Sequence, residues 1–163
     1  MRILGIDPGL ANTGWSVVEY ENGRFSVLDY GVVKTEVKEK PQFRIKKIVD
    51  VLLDKAKTYS VMCCGAEDIF FVKNISSGIS TAKVIGAFMY ALTSIDIDVV
   101  LFTPTEIKNA VVGIGGADKE QIRKMVMLTT RMSDKIKSDH AADSVAAAIT
   151  YASTSYMRNA TGK

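Results

Sequence analysis

Three carboxylates stand where carboxylates are expensive. Asp7 closes the apolar run Ile3 to Ile6 and precedes a Pro-Gly turn. Glu67 closes a second apolar run, Val61 to Ala66. Asp143 lies inside a helix-like stretch whose Ala141, Ala142, Val145, Ala146 and Ile149 read as a packed face. Taken singly, Asp7 reads as a turn-forming residue and Glu67 as a solvated strand end. Taken together, they read differently. Desolvating a carboxylate is costly without a partner, and ligands of sheet proteins gather at the carboxyl ends of strands. If the two strands are neighbours, Asp7 and Glu67 emerge side by side, and a final helix crossing that edge adds Asp143. Like charges so placed need a cation. Two or three hard oxygen donors are what Mg²⁺ takes, with water and phosphate completing its shell. A fourth group comes from Asp139 or His140. His140, the only histidine, is three residues before Asp143, about 60° around a helix. It is favoured as a ligand or a water-positioning group. Asp139 suits a helix N-cap or first-turn acid.

The elements that must position these groups follow from pattern. Ile3 to Ile6, Thr13 to Tyr20 and Phe25 to Val33 read as three opening strands, the last two joined by a Glu21-Asn22-Gly23 hairpin turn. Pro41 opens a helix carrying Phe43, Ile45, Ile48, Val49, Leu52 and Leu53 at helical spacing. Val61 to Glu67 is a fourth strand and Asp68 to Gly78 a loop. Thr81 to Ser94, apolar nearly all round, is a buried or subunit-facing helix. Ile97 to Phe102 is a fifth strand. Thr103 to Glu106 and Asp118 to Gln121 are capping boxes that start two further helices, the first stopped by Gly113, Gly115 and Gly116. The last helix runs from Asp139 to Tyr156. Strands with helices interspersed predict an α/β fold, a mixed sheet covered on both faces. The 163 residues are read as one domain over 1–156, with a frayed tail over 157–163.

Composition sets outer bounds. A chain 47% hydrophobic and 24% charged is ordinary globular, which excludes disorder, collagen, coiled coil and disulfide scaffolds. A net charge of +3 permits a polyanionic partner without demanding one. Adjacent Cys63 and Cys64 in an apolar run read as buried free thiols of a reducing compartment. No stretch reads as a leader or a spanning helix, so the expected location is cytoplasmic. Cations fall in two groups. Arg44, Lys46, Lys47, Lys55 and Lys57 share one helix, while Lys119, Arg123, Lys124, Arg131, Lys135 and Lys137 flank the acidic site. The second group ranks higher as a phosphate track, with Arg123 and Lys124 as DNA-binding candidates. In the loop after Glu67, Phe70 and Phe71 suit base stacking or, for Phe71 equally, a loop folded over the core, and Lys73 and Asn74 suit phosphate contact.

Four ordered blocks carry a family resemblance: ILGIDPGLANTGW at Ile3 to Trp15, AEDIFFVKN at Ala66 to Asn74, TPTEIKNAVVGIGGADKEQI at Thr103 to Ile122, and DHAADSVAAAIT at Asp139 to Thr150. Together they resemble the RuvC-type Holliday junction resolvases. The resemblance implies a ribonuclease H-like fold with a five-stranded mixed sheet, a homodimer, and divalent-metal-dependent nicking of four-way DNA junctions. It implies metal binding by Asp7, Glu67 and Asp143, with His140 at a fourth position that holds Asp in many members and His in others. It places Lys108 and Lys119 near the active site, and Phe70 at the position of an aromatic that stacks on bases at the junction centre. The expected chemistry is in-line hydrolysis with two Mg²⁺ ions, or Mn²⁺ in their place, about 4 Å apart. Asp7 would bridge them, Glu67 hold one, and Asp143 and His140 the other. The homodimer is expected to pair through Thr81 to Ser94, with Phe88 and Met89 as bulky contacts and Gly78, Ala82 and Gly86 allowing close approach. A branch-migration helicase complex is a further expected partner. The competing readings are a same-fold nuclease with broader branched-DNA or RNA substrates, a noncatalytic junction-binding protein, and a nucleotide-binding phosphotransferase suggested by the Asp-Pro-Gly turn. The chain is short for the two lobes that last reading requires.

Overall fold

The computed structural model describes residues 1–69, 75–132 and 136–161, with side chains through 155. Phe70, Phe71, Lys73, Asn74 and Lys135 lie outside the described residues. The elements run β1 (Arg2–Asp7), β2 (Asn12–Glu21), β3 (Arg24–Lys34), α1 (Pro41–Thr58), β4 (Cys63–Glu67), α2 (Ile75–Thr93), β5 (Asp98–Phe102), α3 (Pro104–Val112), α4 (Lys119–Thr130) and α5 (Asp139–Thr161).

The five strands form one mixed sheet in the order β3-β2-β1-β4-β5. β1 is antiparallel to β2 and parallel to β4, and β4 is parallel to β5. The β2–β3 hairpin turns on Asn22 and Gly23, both at positive φ (49° and 76°), which is what an Asn-Gly turn supplies. The central strand is buried on both faces, as its unbroken apolar run requires. Ile3, Leu4 and Ile6 have no exposed surface. Ile3 and Cys63 point into a core built with α3, α4 and α5, while Leu4, Ile6 and Cys64 point into a second core with α1 and α2. Both cysteines are free and buried, and burial pushes the Cys63 thiol up to about 11.

Several boundaries differ from the sequence reading. α2 begins at Ile75, six residues before Thr81, so the expected loop to Gly78 is shorter. Serines and Gly78 suggest a loop by propensity, but Gly78 is buried in the first turn, where packing overrides propensity. β4 begins at Cys63, because Val61 N–H returns to the Ala56 carbonyl and closes the end of α1. α5 continues to Thr161, past Tyr156.

The bulky contacts assigned to α2 also need correction. Phe88 is fully buried in the domain core, Met89 packs against that core, and Gly78 is buried. The outward face instead carries exposed Ile75, Ile79, Ala82, Gly86 and Tyr90, which share one stripe of the helix. α2 has 19 residues and a mean hydropathy of 1.2, long and apolar enough to match a membrane span. Val84, Ile85, Phe88 and Leu92 already spend much of that apolarity inside the domain.

Candidate active site

β1 and β4 run side by side with Ile6 opposite Ala66, so Asp7 and Glu67 leave adjacent strand ends together. α5 then crosses this edge of the sheet. Its depth is set by two glycines. A methyl group at Gly14 would sit 1.9 Å from the His140 carbonyl oxygen, and one at Gly5 would sit 1.9 Å from that of Ser144. The backbone of the first α5 turns therefore rests directly on β1 and β2. That contact delivers His140 and Asp143, one turn apart, to the end of β1.

His140 Nδ1 lies 2.7 Å from Asp7 Oδ2. The hydrogen bond with Asp7 raises the His140 pKa against the opposing effect of burial. Burial raises Glu67 to about 7, reinforced by the charges of Asp7 and Asp143 and opposed by Lys119 and Lys108. Asp143 rises to about 6, chiefly through burial and then Asp7, with Lys119 opposing. The mutual repulsion shows that these carboxylates share one field. Among the described residues no three acidic, histidine or cysteine side chains already stand as a metal-ligating group. The donor set nonetheless fits a hard divalent cation: three carboxylates and an imidazole, two of the carboxylates reluctant to ionise without added positive charge.

A cavity of about 220 Å³ opens beside the acids, lined by Glu67, Asp143, Lys108 and Lys119 over an apolar floor of Ile107 and Ile122. Two capping boxes aim these lysines. Thr103 and Glu106 bond reciprocally at the start of α3, which carries Lys108. Asp118 and Gln121 do so at the start of α4, placing Lys119 at its first position. Asp139 opens α5, and its Oδ1 accepts from Arg123 at 3.2 Å. Arg123 is thereby held within the protein, while Lys124 is exposed on the same helix.

Sequence reasoning missed the residues that brace the β1–β2 turn. Buried Thr13 donates to the Gly9 carbonyl at 2.6 Å. Thr35 donates to the Leu10 carbonyl and accepts from Arg44 Nε at 2.8 Å. A Thr or Arg inside such motifs offers no periodic signal. Arg44 and Lys55 also leave the expected basic face of α1. Arg44 is buried, and Lys55 pairs with Asp29 at 2.8 Å beneath the Trp15 ring.

The sequence model of the family described as crossover junction endodeoxyribonuclease RuvC matches residues 3–151. The chain belongs to the RuvC family. A RuvC from Treponema denticola is 37% identical over 148 residues, spanning 91% of this chain and 83% of that one. Thermus thermophilus RuvC superposes with a TM-score of 0.90 at 28% identity, covering 96% of each chain. The same protein in complex with a Holliday junction substrate gives 0.88 at 25% identity, again covering 96% of each. The RuvC likeness makes the mixed sheet and its helices a ribonuclease H-like fold.

Proposed function

We propose that this chain is a metal-dependent endodeoxyribonuclease that resolves four-way DNA junctions by paired nicks, acting as a homodimer in the cytoplasm. Membership in the RuvC family supports the reaction, and the likeness to a RuvC bound to a Holliday junction supports the substrate. The observation that carries it is the convergence of Asp7, Glu67 and Asp143 at one sheet edge, with Glu67 and Asp143 lining one cavity with Lys108 and Lys119.

Asp7, Glu67, Asp143 and His140 would hold divalent cations, Mg²⁺ or Mn²⁺, two per site. Bound there, such ions supply an activated water and offset charge on the attacked phosphate. The chain's own groups do the rest. Lys108 and Lys119, across the cavity from Glu67 and Asp143, favour the ionised carboxylates and attract the phosphodiester. To serve as a ligand His140 would have to be neutral, and its hydrogen bond to Asp7 favours the protonated form. Phe70 and Phe71 would stack on unpaired bases. Lys73, Asn74, Arg123 and Lys124 would contact the backbone, Arg123 after release from Asp139.

A four-way junction has approximate two-fold symmetry, so a C₂ dimer presents equivalent sites to equivalent strands. The exposed stripe Ile75, Ile79, Ala82, Gly86 and Tyr90 on α2 is the proposed interface. Small residues between larger ones let two helices approach closely. The domain itself is read as 1–156.

Incubation with labelled four-way junction, plain duplex and RNA, under Mg²⁺, Mn²⁺ or EDTA, tests this reading. Junction nicking that needs the cation is expected. Equal cutting of plain duplex would sink it.

A further inference from the structure

α1 carries one cation unlike the rest. Lys46, Lys47 and Lys57 are exposed and Lys55 is paired with Asp29, whereas Arg44 is only 8% exposed. Its Nε is bonded to Thr35, but no acidic side chain among the described residues pairs with the guanidinium. Its terminal amino groups have no partner among them either. Glu36, in the neighbouring loop, is paired with Lys38 at 2.7 Å. The stem of Arg44 is thus buried while its unpartnered amino groups still reach solvent, since Ser16 Oγ is the one side-chain polar atom among the described residues that is sealed without a partner, and a cation held this way is placed to meet an anion.

Arg44 also lines a groove of about 690 Å³, together with Gly9, Asn12, Ser76, Ser80 and His140. The groove is thus continuous with the acidic site through His140, while Asp143, one turn further along α5, lines the lysine cavity. The site is shared between two depressions, and each holds positive charge. Hydroxyls and a guanidinium are donors suited to phosphate oxygens, and Arg presents them in a fixed fork.

We propose that this groove binds a phosphate of the nucleic-acid backbone beside the one that is cut, with Arg44 as its charged contact. The assignment rests on the junction reading above. The Nε bond to Thr35 fixes the β1–β2 turn, and the remaining fork is left for the strand. Arg44 therefore binds DNA and orients it, and takes no part in bond breaking.

The test compares junction binding by the parent and by Arg44→Met across a salt series with Ca²⁺ in place of Mg²⁺. Met keeps the aliphatic stem packed. A second variant, Ser76→Glu, leaves Arg44 in place but adds a carboxylate at the exposed rim, where an acid in the first turn of a helix is tolerated. Each is expected to weaken binding roughly tenfold at moderate salt. Arg44→Met should also lower the slope of log K against log salt by about one. A junction with a single neutral methylphosphonate beside the cut should lose as much with the parent, and lose nothing further with Arg44→Met. If both variants bind with the parent's affinity and slope, the groove assignment falls while the junction reading stands. A parent that binds no junction overturns both.

Discussion

At 2.7 Å, the His140–Asp7 hydrogen bond ties the first turn of α5 to the end of β1. Glu67 at about 7 and Asp143 at about 6 are acids whose pKa folding has raised. Such groups hold their protons more tightly when folded, so their contribution is present at low pH and is lost as pH climbs through the folded values. His140, raised by Asp7, acts in the same direction: its stabilisation is complete below the ordinary imidazole value and gone above the raised one. The metal-free protein should therefore melt at progressively lower temperature from about pH 5 to pH 8. Mg²⁺ should raise Tm more at pH 8 than at pH 5. Calorimetry in EDTA and in Mg²⁺ measures both, and a pH-independent Tm in EDTA would contradict the shared field. At the same scale, Asp7→Asn should reduce junction cleavage by at least about 100-fold while junction binding persists. Unchanged cleavage in that variant would remove Asp7 from the chemistry.

At the scale of elements, the decisive contact is α5 on the sheet. Gly14→Ala forces a methyl group against the His140 carbonyl, where backbone cannot yield as a side-chain tip does. Overpacking of this kind costs about 1–3 kcal/mol. The first turn of α5 should lift, so cleavage should fall further than the loss of stability explains. Thermal melts and single-turnover rates on the same preparations separate the two effects. Parent-like rates in a destabilised variant would show that the glycine serves packing alone. The caps make a milder prediction. Asp118→Ala removes the acceptor for Gln121 N–H and should cost about 1 kcal/mol. For a chain of this size that is a Tm loss of roughly 2–4 °C. A larger share of the damage should appear in activity, because Lys119 is the residue that cap positions.

At the scale of the whole molecule, the outer stripe of α2 predicts the assembly. Ala82→Glu and Gly86→Arg change exposed positions outside the domain core, and Gly86 has open space around it. Both variants should stay folded yet run as monomers in light scattering, and should lose paired nicking. A monomer that still cuts both strands in concert would argue against the dimer. Much of this architecture was legible in the chain. The element order, the hairpin turn and both capping boxes followed from local rules, since turns and caps are satisfied within a few residues. The acids were legible as residues out of place: a carboxylate ending a run such as Ile3 to Ile6 demands a reason. What stayed hidden depended on distant partners. The burial of Arg44 needs Thr35 and the β1–β2 turn beside it, and the true outer face of α2 is defined by what Phe88 packs against. The carbonyl-on-glycine contact that sets α5 pairs Gly14 with His140, far apart in the chain. By itself, the sequence determined which groups are candidates for the chemistry and which elements hold them, because composition, periodicity and caps act over short range. Only the tertiary structure decided which charges meet, which face stays open and how deep the helix sits, because these depend on excluded volume and dielectric between segments that the chain keeps apart.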